Sequence, residues 1–580
     1  MSLSPTLVPV MKKKVLFSIV LVVASLAVGL VAGFWMPRDD DFFALRKSYQ
    51  VFGALYEELV VGYVDKLDPE KMMHTGIDAM LQDLDPYTNF YDEADNADLN
   101  IMTRGRYGGV GLSAAIFDGK ITVTAPVEGT SSYRRGVRPG DVITEVAGRS
   151  TKDLSLDDVR NLLRGEPGST VQIMIAREGA PEPLSFVLRR EEVKLKNVPF
   201  SGFVGGDTTS GIGYIKLDRF ANEAAPEVRR ALISLQKTDA LKGVILDLRD
   251  NPGGLLEAAV EITGLFAPAN AVIVSTRGRQ PQTERSYQSK LAPLAPDLPL
   301  VVLMNGYSAS ASEIVAGAIQ DLDRGLILGT PSFGKGLVQI VRNLPFNTSL
   351  KLTTARYYSP SGRSIQKIDY RQHDGHFGSI PDSLRHAFTT AAGRTVLDGR
   401  GIEPDVTVSL GVPSALEQAL ARQAEFLFYA THFAAEHPLS DAPGQTAEAR
   451  FFETFGDGDD FEVSDAVYSD FQAWLHARNF VYRTPAEQGL KDLSELLEKG
   501  GYNGVKDQME ALGKALQREK TDDFNRLGKQ LKARLRTAIL AHYIGESAQI
   551  RASLAHDAVV DKARRLLLDH TAYKRAFGGA

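Results

Sequence analysis

The chain contains no cysteine among its 580 residues, and this absence excludes several kinds of chemistry. Disulfide bridges, thiolate metal sites, a cysteine nucleophile and a cysteine-linked lipid anchor all require that side chain. Basic residues are not in excess either, because 66 Lys and Arg stand against 72 Asp and Glu, a net charge of −6. Proteins that bind a nucleic-acid backbone carry a basic surface, so nucleic acid is not an expected partner.

Histidine is absent between His74 and His373, which removes the usual base of serine hydrolases from that interval. A Ser/His/Asp triad or a His-ligated metal cannot be built from this stretch alone. Gly329 to Lys335 has the spacing of a phosphate-binding loop, but Gly336 stands where Ser or Thr would bind magnesium. We therefore expect neither a metal ion nor another cofactor.

The N-terminal segment, residues 1–40, has the pattern of a membrane anchor. Three lysines at 12–14 precede an uncharged run over residues 15–35, and three aspartates follow at 39–41. A helix over that run would be about 30 Å long, which matches the hydrocarbon core of a bilayer. The lysines place the N-terminus in the cytoplasm and the rest of the chain outside, in the periplasm of a two-membrane bacterium. A cleaved signal peptide, which would release a soluble exported protein, and a buried helix are the alternatives.

Four further blocks follow, and together they predict a multidomain α/β protein. Residues 41–103 show apolar side chains at helical spacing and predict a small helical segment. Residues 104–193 contain short β-branched runs separated by Gly and Pro, which predicts a compact β-rich module. Residues 194–410 alternate strand and helix patterns and predict an α/β core with a surface insertion at about 366–400. Residues 411–580 return to helical patterns, for which dimerisation, docking of a substrate adaptor and a self-contained helical domain all stay open.

The β-rich module opens with a glycine-rich turn that reads RYGGVGL over residues 106–112. The backbone N–H groups of such a turn can converge on a carboxylate. The continuation over residues 127–143, VEGTSSYRRGVRPGDVI, resembles the signature of PDZ domains. The β-rich module is therefore expected to be a PDZ domain.

The PDZ resemblance implies that the C-terminal tail of another protein adds as a strand beside the residues after Gly111. The tail carboxylate would lie in the loop of Gly109, Val110, Gly111 and Leu112, and an apolar last side chain would enter a pocket. A structural spacer that binds no tail is the alternative. Arg164 ends the predicted helix of the module, either as a solvated charge or as a residue that couples this module to the next one.

A serine cluster marks the junction of a predicted strand and a predicted helix in the α/β block. The stretch reads NGYSASASE over residues 305–313. A serine at this junction lies beside a helix N-terminus, whose partial positive charge favours developing anions, although a serine there can also serve only as an N-cap. Without a nearby histidine the candidate bases are lysine and carboxylates, and Lys335 in SFGKGLVQ, residues 332–339, can act if burial lowers its pKa. The stretch LDLRDNPGG, residues 246–254, predicts a strand that enters a turn whose N–H groups could bind an oxyanion.

Taken in order, these motifs resemble the C-terminal processing peptidases, also called tail-specific proteases. The segments that carry the resemblance are LDPYT at 84–88, DLRDNPGG at 247–254, SASASE at 308–313, FGKGLVQ at 333–339, YSPSGRSI at 358–365 and GIEPD at 401–405. The similarity covers about residues 45–408. It implies that Ser310 is the nucleophile, that Lys335 is the general base and that Gln339 orients the lysine. It also implies an oxyanion hole formed by a backbone N–H of Gly253 or Gly254 together with that of Ala311.

The function implied by the resemblance is endoproteolysis close to the C-terminus of protein substrates that carry an apolar tail. The tail binds the PDZ domain, and the adjoining chain reaches the serine at a raised effective concentration. A membrane-anchored PDZ scaffold that binds tails without cutting them is the alternative from another class. An acyl hydrolase or amidase that uses the same serine and lysine on a small substrate is a second alternative.

Overall fold

The computed structural model describes residues 39–577 except 94, 207, 371–377, 410, 440–446 and 457–460. The chain divides into two compact units, Met1–Leu84 and Asp85–Ala580. The predicted membrane segment at residues 15–35 lies outside the described residues. Among the helices that are described, none is long and apolar enough to cross a membrane.

The described part of the first unit consists of two helices, α1 (Asp39–Gly62) and α2 (Pro69–Gln82). Asp68 caps α2 by accepting a hydrogen bond from the N–H of Lys71 at 3.2 Å. The following Pro69 occupies the first turn, where its missing N–H costs nothing. The cap and the proline fix the start of α2 within the segment whose spacing predicts helix.

The second unit begins with a strand and a helix, β1 (Asn89–Tyr91) and α3 (Asp95–Arg104). The sequence predicted helix throughout this segment, but β1 pairs with a strand of the α/β block about 260 residues later, Asn89 opposite Lys351. A three-residue strand has no detectable period of its own, because only its distant partner defines it.

The β-rich module has the architecture of a PDZ domain. Its elements are β2 (Arg106–Gly109), β3 (Leu112–Phe117), β4 (Lys120–Pro126), α4 (Ser131–Arg134), β5 (Val142–Val146), β6 (Arg149–Ser150), α5 (Leu156–Leu163), β7 (Thr170–Ala176), β8 (Leu184–Arg189) and β9 (Glu191–Lys194). The main sheet has the strand order β3-β4-β5-β7-β8, so β3 lies at an edge. Strands β2 and β9 pair with each other where the chain enters and leaves the module.

The described residues of the α/β block form two larger sheets and two short strand pairs. Its elements are β10 (Phe200–Phe203), β11 (Ile212–Lys216), α6 (Ala224–Gln236), β12 (Gly243–Asp247), α7 (Leu256–Gly264), β13 (Val272–Gly278), β14 (Arg285–Gln288), β15 (Leu300–Met304), α8 (Ala311–Asp321), β16 (Leu326–Gly329), β17 (Leu337–Asn343), β18 (Ser349–Tyr358), β19 (Ile368–Asp369), β20 (Gly378–Ser379), β21 (Ala387–Thr389), β22 (Thr395–Leu397) and β23 (Val406–Thr407). The central sheet has the order β10-β11-β12-β15-β16-β23 and is parallel except for β10. Strands β1, β18, β13 and β14 form the second sheet, and β17 pairs with β18.

The predicted insertion at about 366–400 contains short paired strands in its described part. Strands β19 and β20 form one pair, and β21 and β22 form another. Arg394 joins this segment to the core through ion pairs with Asp323 at 2.6 Å and Asp405 at 2.5 Å. These contacts fix the segment to the end of α8, so it is more than a loose surface loop.

The C-terminal extension is helical, as the sequence predicts. Its helices are α9 (Ala415–Arg422), α10 (Glu425–Glu436), α11 (Ala447–Phe455), α12 (Asp465–Ala477), α13 (Pro485–Lys499), α14 (Lys506–Thr521), α15 (Asp523–Arg526), α16 (Gly528–Tyr543), α17 (Glu546–Leu554), α18 (Ala558–Leu568) and α19 (His570–Ala576). Helices α9 to α12 and α16 to α17 contribute to one apolar cluster. Side chains of α17 and α18, among them Leu554, Val560 and Leu567, instead pack with Tyr214, Ile245 and other residues of the central sheet. The end of the extension therefore completes the core and is not a separate appendage.

Candidate active site

Ser310 lies directly before α8, in the connection from β15. Its backbone has φ 56° and ψ −112°, a combination that residues other than glycine rarely adopt. Such strain persists only where the surroundings hold it, and it is concentrated at functional sites. The sequence motif alone did not reveal this conformation.

The three serines of the cluster have different surroundings. Ser308 Oγ donates to the carbonyl of Leu248 at 2.8 Å, and Ser312 Oγ donates to the carbonyl of Asn251 at 2.8 Å; both residues are fully buried. Ser310 is half-buried, and within the described residues its hydroxyl donates no hydrogen bond; its oxygen faces the N–H of Glu313 in a capping box at the start of α8. Two serines thus fix the loops, and Ser310 is the one whose hydroxyl is available for chemistry.

Lys335 follows β16 in the loop that leads into β17. Its Nζ lies 4.1 Å from the centroid of the Tyr87 ring. Burial lowers the pKa of Lys335 to about 8, and the positive charge of Lys351 acts in the same direction, against the opposing effect of Asp85 and Glu313. A substantial fraction of this lysine is therefore neutral at mildly alkaline pH, as a general base requires.

Glu313 connects the serine loop to the lysine loop, a role that was not recognised in the sequence. Its Oε2 accepts the N–H of Ser310 at 2.7 Å and the N–H of Lys335 at 3.0 Å. Its Oε1 accepts the hydroxyl of Ser332 at 2.5 Å and the N–H of Gly334 at 2.7 Å. Burial raises the pKa of Glu313 to about 7 against the effect of these four hydrogen bonds. The spacing of Ser310 and Glu313, three residues apart at a helix start, was the available signal.

Tyr357 makes a second connection between the two loops. Its hydroxyl lies 3.2 Å from the carbonyl of Ser310 and also contacts the carbonyl of Lys335. The tyrosine is buried, which raises its pKa well above the ordinary value and keeps it a donor. The backbones of Ser310 and Lys335 are thus held together from two sides.

The side chains of the predicted dyad are not aligned in this structure. Within the described residues, Ser310 Oγ and Lys335 Nζ do not hydrogen-bond to each other. Gln339 donates from Nε2 to Thr353 Oγ1 at 3.1 Å, and Thr353 donates in turn to Asp85 Oδ1 at 3.1 Å. Gln339 therefore contacts Thr353 here, and its predicted orientation of the lysine stays a prediction.

The two glycines of the predicted oxyanion hole differ. Gly253 has φ 101°, and an added Cβ would lie 2.7 Å from the carbonyl oxygen of Ala309 and 2.9 Å from Ser310 Cβ, so only glycine fits beside the serine. Its N–H donates to Asn251 Oδ1 at 2.9 Å. The N–H groups of Gly254 and Ala311 have no acceptor among the residues that the structure describes. Gly254 and Ala311 are therefore the pair with available donors.

The predicted peptide groove lies between the edge strand β3 and helix α5. A pocket of about 340 Å³ opens there, lined by Ile101, Tyr107, Val110, Gly111, Leu112, Ser113, Ala114, Val127, Leu156, Val159, Arg160, Leu163, Arg164 and Leu195. An edge strand can pair with a further strand, and most of this lining is apolar. The predicted loop residues Val110, Gly111 and Leu112 line the pocket, whereas Gly109 pairs with Glu191 in the strand before it.

Arg164 stands at the end of α5, beside the glycine-rich loop. Its guanidinium carbon lies 5.8 Å from the centroid of the Tyr107 ring, and its backbone bridges to Gly109. A role of Arg164 in coupling the module to the core stays a prediction.

The glycine-rich loop itself requires glycine at position 111. Gly111 has φ 79°, and an added Cβ would lie 2.4 Å from Thr130 Cβ.

Comparison with known proteins agrees with this architecture. Residues 211–374 match Peptidase family S41, residues 122–177 match PDZ domains, and residues 416–567 match the C-terminal helical domain of probable PDZ-proteases. Over 325 residues the chain is 39% identical to the carboxy-terminal-processing protease of Bartonella bacilliformis, which covers 56% of this chain and 73% of the relative. The chain belongs to the carboxy-terminal-processing proteases of peptidase family S41. It is also 30% identical over 356 residues to a probable CtpA-like serine protease of Staphylococcus aureus, which covers 61% of this chain and 63% of that protein.

Among solved structures, the photosystem II D1 C-terminal processing protease is 28% identical and matches 62% of this chain and 92% of that one with a TM-score of 0.33. The predicted resemblance to C-terminal processing peptidases is confirmed by the sequence relatives. As a carboxy-terminal-processing protease, the chain is a serine protease with a PDZ domain, and the silent scaffold is not favoured.

Proposed function

We propose that the protein is an endopeptidase that cleaves near the C-terminus of protein substrates, with Ser310 as nucleophile and Lys335 as general base. The observation that carries this proposal is the difference within the serine cluster. Ser308 and Ser312 use their hydroxyls to fix the loops, whereas the strained, half-buried Ser310 keeps its hydroxyl available.

The chemical steps follow from these groups. Neutral Lys335 takes the proton of the Ser310 hydroxyl as its oxygen attacks the scissile carbonyl, and the oxyanion accepts the N–H groups of Gly254 and Ala311. The resulting ammonium returns the proton to the leaving amine, and water then hydrolyses the acyl-enzyme. This sequence requires Lys335 to move from the Tyr87 ring toward Ser310, and Gln339 to exchange Thr353 for the lysine.

The PDZ groove supplies substrate selection in this proposal. An extended tail pairs with β3, its carboxylate meets the loop over residues 110–112, and an apolar last side chain enters the pocket. Tethering raises the concentration of the adjoining chain at Ser310. The lysines and the uncharged run at residues 12–35 support a site of action outside the cytoplasm, on a membrane anchor or after signal cleavage. Dimerisation or adaptor docking through the C-terminal helices stays a prediction.

Cleavage of an unfolded model protein with an apolar C-terminus tests this function. Ser310→Ala and Lys335→Ala should lose activity by more than about a thousandfold, whereas Ser286→Ala and Lys290→Ala, at exposed positions, should cut at the wild-type rate. Amidation of the substrate tail should raise KM if the PDZ groove binds the carboxylate. A wild-type protein that binds the tail but leaves the substrate intact would favour the scaffold.

A further inference from the structure

An ion pair links the C-terminal extension to the loop that carries the oxyanion glycines. Arg249, two residues after the end of β12, donates from Nε and Nη2 to the carboxylate of Asp247 at 3.0 Å and 2.5 Å. The same Nη2 lies 2.7 Å from Oδ2 of Asp557, which directly precedes α18. Arg249 therefore bridges a carboxylate of the protease core and a carboxylate of the extension.

The position of Asp557 is set by helix packing. Its Oδ1 caps α18 by accepting the N–H groups of Val559 at 2.8 Å and Val560 at 3.1 Å. Both valines are buried against the central sheet. One carboxylate oxygen thus fixes the helix, and the other is left to hold Arg249.

Arg249 begins the loop that ends beside Ser310. Its carbonyl accepts a hydrogen bond from Lys216 Nζ at 2.5 Å, and Asn251 Nδ2 donates to the carbonyl of Leu217 at 2.7 Å. Gly253, four residues after Arg249, lies so close to Ser310 that an added Cβ would come within 2.9 Å of Ser310 Cβ. A shift at Arg249 would therefore be transmitted over a few residues to the N–H of Gly254.

The charges favour a permanent contact. Burial alone would raise the pKa of Asp247, but Arg249 and Lys216 outweigh it and lower this pKa to about 2. The side chains of Arg249 and Asp557 are only 17% and 18% exposed, so water screens their attraction weakly. Asp247 and Arg249 therefore stay ionised over the pH range in which proteases are assayed.

We propose that Asp557 is a positioning residue through which the C-terminal extension, by way of Arg249, holds the 249–254 loop in the geometry that presents the oxyanion donors. This inference rests on the proposed function, because it concerns the loop that would stabilise the oxyanion. It gives the extension a task in the reaction, in addition to covering the sheet.

The test compares two aspartates that each cap the N-terminus of a helix. Asp569 caps α19 by accepting the N–H groups of Thr571 at 3.0 Å and Ala572 at 2.9 Å, as Asp557 caps α18, but Asp569 does not pair with Arg249. Asparagine caps helices as well as aspartate, so Asp557→Asn keeps the cap and removes the charge. In the full-length protein we expect Asp557→Asn to lower kcat about tenfold with KM within about twofold. Asp569→Asn should leave both values at the wild-type level.

Amide hydrogen exchange gives a second readout that does not need turnover. The amides of Asn251 and Gly253, which are hydrogen-bonded within the loop, should exchange about tenfold faster in Asp557→Asn, while those of the central strand β15 keep their rate. Equal acceleration in the loop and in β15, or a kcat equal to that of Asp569→Asn, would overturn the inference. If the wild-type protein cleaves nothing, the proposed function fails, and the exchange pattern by itself still decides the role of Asp557.

Discussion

The serine and lysine loops and the PDZ groove differ in how their polar groups are used. In the catalytic loops, Glu313 accepts four hydrogen bonds, and the hydroxyls of Ser308 and Ser312 are both bonded. The groove instead offers a pocket of about 340 Å³, lined mostly by apolar residues, next to an edge strand. The contrast teaches that the backbone of the chemical site is organised in advance, whereas the recognition site is left open for the backbone and side chains of a ligand.

Among changes that keep both Ser310 and Lys335, the largest expected effect comes from breaking the organisation of the catalytic loops. Glu313→Gln replaces two acceptor oxygens with one oxygen and one NH₂ group. In either orientation the NH₂ would face at least one backbone N–H donor, and in one orientation it would face those of both Ser310 and Lys335. The Ser310 and Lys335 loops would then separate, and we expect kcat to fall about a hundredfold with little change in KM. Steady-state kinetics on a tailed substrate measures both.

Glu227→Gln is the matched control for this change. Glu227 also accepts two backbone N–H groups, those of Asn197 and Val198, each at 2.8 Å, but it is not bonded to Ser310 or Lys335. It should lower the melting temperature without a comparable loss of kcat. Equal kcat losses in both variants would mean that Glu313 acts only through overall stability.

Features that depend on neighbouring residues could be predicted from the sequence, whereas the conformation of Ser310 could not. The apolar run at residues 300–304 and the β-branched run at 142–146 each form a strand, because burial in a sheet selects a short local run of such side chains that can be read from the sequence. Ser310 was selected through the family motif. Its strained backbone and the bonds of its two neighbours appear only in the folded chain.

Partners far apart in sequence could not be predicted. Gln339 contacts Thr353, which contacts Asp85, and Arg249 pairs with Asp557, more than 300 residues later. No spacing rule joins such residues, because the tertiary fold alone brings them together. The packing of α18 on the central sheet could not be predicted for the same reason. Its sequence pattern is that of any amphipathic helix and does not indicate which surface the helix covers.

The pH dependence tests whether the catalytic base is the buried lysine. Lys335 acts only when neutral, so kcat/KM should rise with pH, by about tenfold per unit below a pKa of about 8, and level off above it. Glu313, Asp85, Lys351 and the Tyr87 ring surround the lysine. Ionisation of Glu313 near pH 7 places a negative charge that favours the protonated lysine, so it would flatten the curve around that pH. A kcat/KM that stays constant from pH 6 to about 9 would contradict a lysine base.

A substitution in the groove should act on recognition and leave the chemistry alone. Leu156→Asp places a charge in the apolar lining at the start of α5, and the KM for a substrate with a free apolar tail should rise about tenfold. Val187→Asp is the control, because Val187 is an exposed apolar residue of the same module outside the pocket lining. Leu156→Asp should no longer distinguish free from amidated tails, and a retained preference for the free carboxylate would remove the groove from substrate selection.

The smallest expected effect concerns Lys351, the charge that helps to keep Lys335 neutral. Its ammonium disfavours a second positive charge nearby, so Lys351→Gln should raise the pKa of Lys335 and move the acid limb of the pH profile to higher pH. At pH 7 this shift should lower kcat/KM about twofold, while the plateau at high pH is unchanged. Arg342→Gln, at an exposed position on β17, removes an equal charge and should leave the limb in place. A limb that moves to lower pH in Lys351→Gln would mean that another group controls ionisation at this site.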